Sequence, residues 1–171
     1  MNRISRLKPK QILTSTSRLL NRNLAGNDAS WRAKPLGIIG LGSMGSKLVE
    51  NYRLAGHTLL VHDVNSKSVD TAIAGGAEVS ASIPAEMAEK CGVIVSILPN
   101  DEVLGAVTRE LLASSSNSNH FVHVSCSTVS PNTSRALRAE YEQQGQTLVA
   151  SPVFARPDGL AKKQVLSYKA I

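Results

Sequence analysis

The segment Leu36-Gly37-Ile38-Ile39-Gly40-Leu41-Gly42-Ser43-Met44-Gly45 constrains this chain more than any other. An apolar run of strand type leads into glycines spaced G-x-G-x-x-G. An amphipathic stretch follows, Ser43 to Ala55, with Leu48, Val49 and Tyr52 at helical spacing. In that context each glycine has a separate task. Gly40 permits a tight turn, Gly42 lets a pyrophosphate approach the backbone with no Cβ in the way, and Gly45 lets the helix lie close to the strand. The free N–H groups of the helix start then favour an anion by roughly 0.3–1 kcal/mol, and up to ~2 kcal/mol where partly buried. The loop Gly40, Leu41, Gly42, Ser43, Met44 and Gly45 is therefore the candidate phosphate-contacting segment of a dinucleotide site.

A second strand, Thr58 to His62, ends at Asp63, at the distance from the glycines where such a unit carries its ribose-binding carboxylate. Asp63 would accept the 2′-hydroxyl of NAD. Against the 2′-phosphate of NADP it would set like charges at contact, a repulsion of a few kcal/mol at an effective dielectric of about 20. NAD is the expected cofactor, with NADP the less favoured one. Lys67 is close enough in sequence to soften the discrimination, and no arginine follows Asp63 directly. The plainer role for Asp63 is a helix N-cap, given Asn65 and Ser66 beside it.

The rest of the chain alternates apolar runs with amphipathic stretches, the rhythm of a parallel α/β sheet. Strands are expected at Glu78–Val79, Val93–Leu98, Phe121–Val124 and Thr147–Ala150, and helices at Pro84–Ala88, Asp101–Leu112 and Pro131–Gln143. Gly56 supplies a helix C-cap, and the run Ser114–Asn119 reads as a surface loop. At 171 residues one ordinary domain with a tail fits, and two do not. No apolar run approaches the ~20 residues of a membrane span. Cys91 and Cys126 have no metal-ligand or CxxC spacing, so they read as core residues and no metal site is expected.

The net charge of +6 is unevenly placed. Arg3, Arg6, Lys8, Lys10, Arg18 and Arg22 all precede the first acidic residue, Asp28, which leaves 13 basic against 13 acidic residues in the remainder. A neutral body under a basic head argues against a nucleic-acid partner, which needs a basic face on the folded domain. The head itself mixes spaced arginines, Ser/Thr and Leu/Ile with no carboxylate, the composition of an organelle transit peptide. Mitochondrial import fits it best. A plastid address, or a disordered extension on a cytoplasmic protein, are the alternatives.

Five features in one order resemble the β-hydroxyacid dehydrogenases, the family typified by 3-hydroxyisobutyrate dehydrogenase and sharing the NAD-binding domain of 6-phosphogluconate dehydrogenase. They are GLGSMG, Ala55-Gly56-His57, the strand ending Leu98-Pro99, the segment Cys126-Ser127-Thr128-Val129-Ser130-Pro131, and Gly145 ahead of Ser151-Pro152-Val153. The resemblance covers about Leu36 to Asp158. It implies a Rossmann-type, doubly wound, mainly parallel sheet followed by an all-helical domain, with hydride moving between NAD(P) and a short hydroxy acid or semialdehyde. By position it implies that Leu98 and Pro99 line the cofactor cleft, that Ser127 holds the substrate carboxylate, and that Thr128 lies near the nicotinamide. A Ser-Thr pair past a strand end, before a helix opened by Pro131, agrees with that placement; a simple helix cap is the plainer reading.

Departures from the family pattern bear on the chemistry. Ser125 stands where the family usually has Asp, and the glycine-rich turn expected after Pro152-Val153 reads Phe154-Ala155-Arg156-Pro157-Asp158. The catalytic lysine, carried in the family by a GxxxKxxxN segment, has no counterpart; Lys162 and Lys163 follow the turn too soon, and Lys169 lacks the spacing. His57, His62, His120 and His123 form no Ser/His/Asp or metal-ligand arrangement, so they read as structural. The expected organisation is a targeting or disordered segment over 1–34, an NAD(P)-binding domain over 35–158 and an atypical tail over 159–171, with the helical domain absent and no catalytic residue in the chain. A non-catalytic dinucleotide-binding regulator or partner of a full-length dehydrogenase is the alternative.

Overall fold

The computed structural model describes residues 33–114, 119–163 and 166–167. The basic head, residues 115–118 of the serine-rich run and the remainder of the tail lie outside the described residues. Six strands form one sheet: β1 Leu36–Ile39, β2 Leu59–His62, β3 Val79–Ser80, β4 Val93–Ser96, β5 Val122–Ser125 and β6 Thr147–Ala150. Their order is β3-β2-β1-β4-β5-β6, and every neighbouring pair is parallel. Between them run α1 Gly45–Leu54, α2 Ser66–Ala74, α3 Pro84–Lys90, α4 Asp101–Ala113 and α5 Pro131–Gln143. Strand order reverses between β1 and β4, the place where open α/β sheets bind ligands. The doubly wound, Rossmann-type architecture expected from the sequence is the observed one.

A strand covered on both faces sends alternate side chains to two cores, which is why these strands are apolar throughout. Ile39, Leu60 and Ile94 join Met87 of α3, Leu111 of α4 and Tyr141 of α5 on one side. Ile38, Val61 and Val95 join Leu48 and Val49 of α1 and Ala72 of α2 on the other.

Several boundaries differ from expectation for local reasons. The fourth strand ends at Ser96 rather than Leu98, although Ile97 N–H still donates to Ile39 O, 3.0 Å. The fifth begins at Val122, because Phe121 N–H goes to the side-chain oxygen of Gln146, 2.9 Å, instead of joining the ladder. No element is expected between Asp63 and Glu78, yet α2 lies there. Its only buried residue is Ala72, so no apolar stripe marks it in the sequence.

Beyond β6 the chain forms β7 Val153–Phe154, the short helix α6 Pro157–Ala161 and β8 Leu166–Ser167. The last strand pairs antiparallel with β7 in a separate two-stranded sheet, where no strand is expected from the sequence. Leu160 of α6 is buried in the α1-side core, and its carbonyl accepts from Asn51 Nδ2 of α1 at 2.8 Å.

Candidate dinucleotide site

The ladder continues one step past the strand ends, and this aligns the candidate residues. Gly40 N–H donates to His62 O at 3.0 Å, Cys126 N–H to Ser96 O at 2.7 Å and Ser151 N–H to Ser125 O at 2.8 Å. The glycine loop, Asp63, Leu98 and Ser127 therefore all leave the same, carboxyl-terminal edge of the sheet.

At the loop the glycines occupy three different environments. Gly40 has φ +89°, and a Cβ there would stand 2.4 Å from the carbonyl oxygen of Ile97. At Gly45 a Cβ would fall 1.7 Å from the carbonyl oxygen of Gly40, so the first turn of α1 closes against the loop itself. A Cβ on Gly42 would meet nothing within 4 Å. The first two glycines are needed by the polypeptide; the third leaves a clear approach to the backbone.

Helix caps differ along the chain, and α3 and α6 begin without a side-chain cap. Asn65 caps α2, Asn100 caps α4 and Ser130 caps α5, each accepting a backbone N–H with its side chain. Met44 at the start of α1 offers no such cap. The N–H groups of Ser43, Met44 and Gly45 have no protein acceptor in the described residues. Unpaired helix-start donors beside an unobstructed glycine fit the diphosphate of a dinucleotide.

Asp63 sits across this loop. Its Oδ2 accepts from Leu41 N–H at 2.6 Å, and its Oδ1 accepts from Asn65 N–H at 2.8 Å. The α2 cap expected as the plain role for Asp63 falls to Asn65 instead, which accepts from Lys67 N–H at 3.1 Å. An open groove of about 630 Å³ runs between α1 and α2 from Gly42 and Ser43 to Arg53 and Gly75, with Lys67 on its wall. Asp63, Leu98 and Ser127 do not line it.

On the other side of β1 the structure joins Leu98 to Ser127: the buried Ser127 hydroxyl accepts from Leu98 N–H at 2.8 Å. Pro99 and Thr128 are exposed beside them. One contact has no sequence signal, because its partners lie 29 to 32 residues apart. The Asp101 carboxylate accepts from Ser130 N–H at 3.1 and 3.3 Å and from the Thr133 hydroxyl at 2.7 Å, clasping the Pro99 loop to the Ser127 loop. Those hydrogen bonds hold the Asp101 carboxyl below its ordinary pKa.

Ser125, at the position where the family resemblance expects Asp, is buried with a hydroxyl that has no hydrogen-bond partner among the described residues. A buried orphan hydroxyl opposes folding, so Ser125→Ala is expected to raise stability by about 1 kcal/mol in urea denaturation. A fall in the midpoint would mean that the hydroxyl is satisfied in solution.

The remaining candidate groups serve the core. His123 lies within β5; it is fully buried, with Nδ1 2.6 Å from the Tyr141 hydroxyl and Nε2 2.7 Å from the Ser96 hydroxyl. His62 contacts Ala81 O through Nδ1 at 2.9 Å. Cys91 and Cys126 are buried, and burial pushes both thiols up to about 12. Among the described residues no cluster of His, Cys, Asp and Glu could hold a metal ion.

Known proteins share this sequence pattern and fold. The family profile of the NAD binding domain of 6-phosphogluconate dehydrogenase matches residues 35–167. The mitochondrial 3-hydroxyisobutyrate dehydrogenase of Drosophila melanogaster is 31% identical over 136 residues, covering 80% of this chain and 41% of that protein. A Mycobacterium tuberculosis 3-hydroxyisobutyrate dehydrogenase solved with L-serine superposes with a TM-score of 0.71 at 27% identity, over 78% of this chain and 45% of that one. Psf3, solved in complex with NADP+ and 2-OPP, superposes with a TM-score of 0.68 at 27% identity, over 74% and 45%. The chain spans less than half the length of each of these relatives.

Proposed function

The chain belongs to the family of the NAD-binding domain of 6-phosphogluconate dehydrogenase, and on that premise we propose that it holds NAD in preference to NADP at the Gly40–Gly45 loop. The observation that carries the proposal is the combination at the start of α1: N–H groups without acceptors among the described residues, beside a glycine whose missing Cβ leaves the approach clear. Leu41, Ser43 and Met44 supply backbone at that loop, and Leu98, Pro99 and Thr128 form the second wall. Preference for NAD is supported by the Asp63 carboxylate, a hydroxyl acceptor that repels a 2′-phosphate. Lys67, on the groove wall, works against full discrimination.

The experiment that tests the binding site is Gly42→Ala. Its Cβ enters open space in the free protein, so the thermal midpoint should stay within about 2 °C of wild type. With the diphosphate in place the same methyl is overpacked by ~1–3 kcal/mol, and affinity should fall roughly 10- to 100-fold. An unchanged dissociation constant would place the dinucleotide elsewhere.

The same proposal gives Ser127 the carboxylate of a short hydroxy acid and Thr128 a place near the nicotinamide. It is supported by the names of the relatives, 3-hydroxyisobutyrate dehydrogenases, and by the L-serine held by one of them. Hydride transfer to or from such an acid is the chemistry a nicotinamide bound here supplies. Ser127 orients, and Asp101 fixes the loop that carries it. These 171 residues contain no GxxxKxxxN segment to deliver the proton, and general acid catalysis is worth ~10²–10⁴ in rate, so the chain alone should bind cofactor with negligible turnover. Residues 1–34 complete the proposal as a mitochondrial import segment, supported by their carboxylate-poor, arginine-spaced sequence; a reporter fused to them should enter mitochondria.

A further inference from the structure

We propose that Asp63 is a positioning residue for the dinucleotide loop as well as a partner for the cofactor's ribose. Both of its oxygens are already engaged by backbone donors in the free protein. Oδ2 takes the N–H of Leu41, 22 residues away, at 2.6 Å, and Oδ1 takes the N–H of Asn65 at 2.8 Å. The Leu41 side chain is buried in the α1-side core with Ile38 and Val61. Packing thus holds Leu41 from one side and the carboxylate holds its peptide from the other. Gly42, Ser43 and Met44 follow immediately, and they carry the approach to the backbone and the donors without acceptors among the described residues.

The consequence is a division of labour among the loop's N–H groups. Leu41 donates inward to Asp63, while Ser43, Met44 and Gly45 remain available for an anion. Without the carboxylate, the Leu41 peptide would have a part-buried donor to satisfy, and turning it toward water would redirect the donors that come after it. A carboxylate also holds an N–H more strongly than a neutral acceptor does. Asp63 therefore acts on every dinucleotide through the loop, in addition to discriminating between them through the ribose.

The effect on affinity rests on the dinucleotide reading above, whereas the Leu41 lock is a property of the free protein, so the two can fail separately. The test uses the full chain as wild type, Asp63→Ala and Asp63→Asn. Amide hydrogen exchange at Leu41 is measured without ligand, with amides of β4 as the control for global stability. Calorimetry then compares NAD with an analogue whose adenosine ribose lacks both hydroxyls, which removes the direct contact to Asp63. Asp63→Ala should speed Leu41 exchange about tenfold with β4 unchanged, and should weaken the dideoxy analogue by a similar factor. Asp63→Asn retains a side-chain oxygen for Leu41 N–H and should recover most of both losses.

Leu41 exchange that is unchanged in Asp63→Ala would overturn the proposal. So would a dideoxy analogue bound equally well by Asp63→Ala and wild type, because Asp63 would then act on the ribose alone. Wild-type protein that binds neither compound, yet shows Asp63-dependent protection of Leu41, would uphold the lock and refute the dinucleotide reading instead.

Discussion

Gly45→Ala is expected to lower the stability of this protein by at least ~4 kcal/mol, which places it among the most damaging single substitutions. The added methyl would lie 1.7 Å from the carbonyl oxygen of Gly40 and 2.8 Å from its carbonyl carbon. Neither is the end of a flexible side chain, so relief requires moving backbone. Gly40 resists that movement: its φ of +89°, its N–H bond to His62 O and its closeness to Ile97 O fix it at the end of β1. Gly105→Ala supplies the control. That glycine lies inside α4, its added Cβ would meet only Arg109 Nη1 at an ordinary 3.6 Å, and alanine there should stabilise by roughly 0.5–1 kcal/mol. Urea denaturation of the two variants should therefore shift in opposite directions. Equal small shifts would mean that the loop does not close against α1 as described.

Acid should weaken the fold between about pH 6.5 and pH 4.5 through one residue. His123 is fully buried between the Tyr141 and Ser96 hydroxyls, no carboxylate among the described residues bonds to it, and burial pushes its pKa down to about 3. The unfolded chain titrates this histidine near 6.5. Between those values the unfolded state binds a proton that the folded state refuses, so stability falls as pH drops through the window and is fully present above it. The whole loss is on the order of 5 kcal/mol, spread over the interval down to pH ~3. Asp101 adds its own acid sensitivity, but its lowered carboxyl loses its contribution only below the ordinary carboxylate range, so measurements above pH 4.5 isolate the histidine. Urea midpoints from pH 7 to 4.5 should fall steeply in the wild type and only slightly in His123→Gln. Parallel slopes would show that His123 takes up its proton in the folded protein as it does in the unfolded one.

The parts of the fold that were legible in the sequence are those fixed by local patterning. The G-x-G-x-x-G spacing, apolar runs such as Leu36–Ile39 and Thr147–Ala150, and the Pro131 helix start each act within a few residues. The parallel α/β sheet follows from their alternation. Helix α2 was hidden because it buries little beyond Ala72 and contributes no stripe. The strand boundary at Val122 was hidden because Gln146, far along the chain, takes the Phe121 N–H. At the candidate site, the glycine loop and Asp63 could be picked out as separate signals, but the bond between Asp63 and Leu41 could not. Nor could the clasp of Asp101 on Ser130 and Thr133. The first depends on β1 pairing with β2 and the second on β4 pairing with β5, tertiary facts that no spacing encodes. The Ser125 substitution was visible, whereas the orphaning of its hydroxyl required the packed core around it.

The central claim is that the carboxyl-terminal edge of this sheet is a dinucleotide site tuned to NAD by Asp63, and calorimetric titration of the full chain with NAD and then NADP tests it most directly. Saturable one-site binding, with NAD tighter by about tenfold or more, is the predicted result, the factor reflecting a screened like-charge contact. Soluble, folded protein that binds neither cofactor, or that binds NADP as tightly as NAD, would contradict the account.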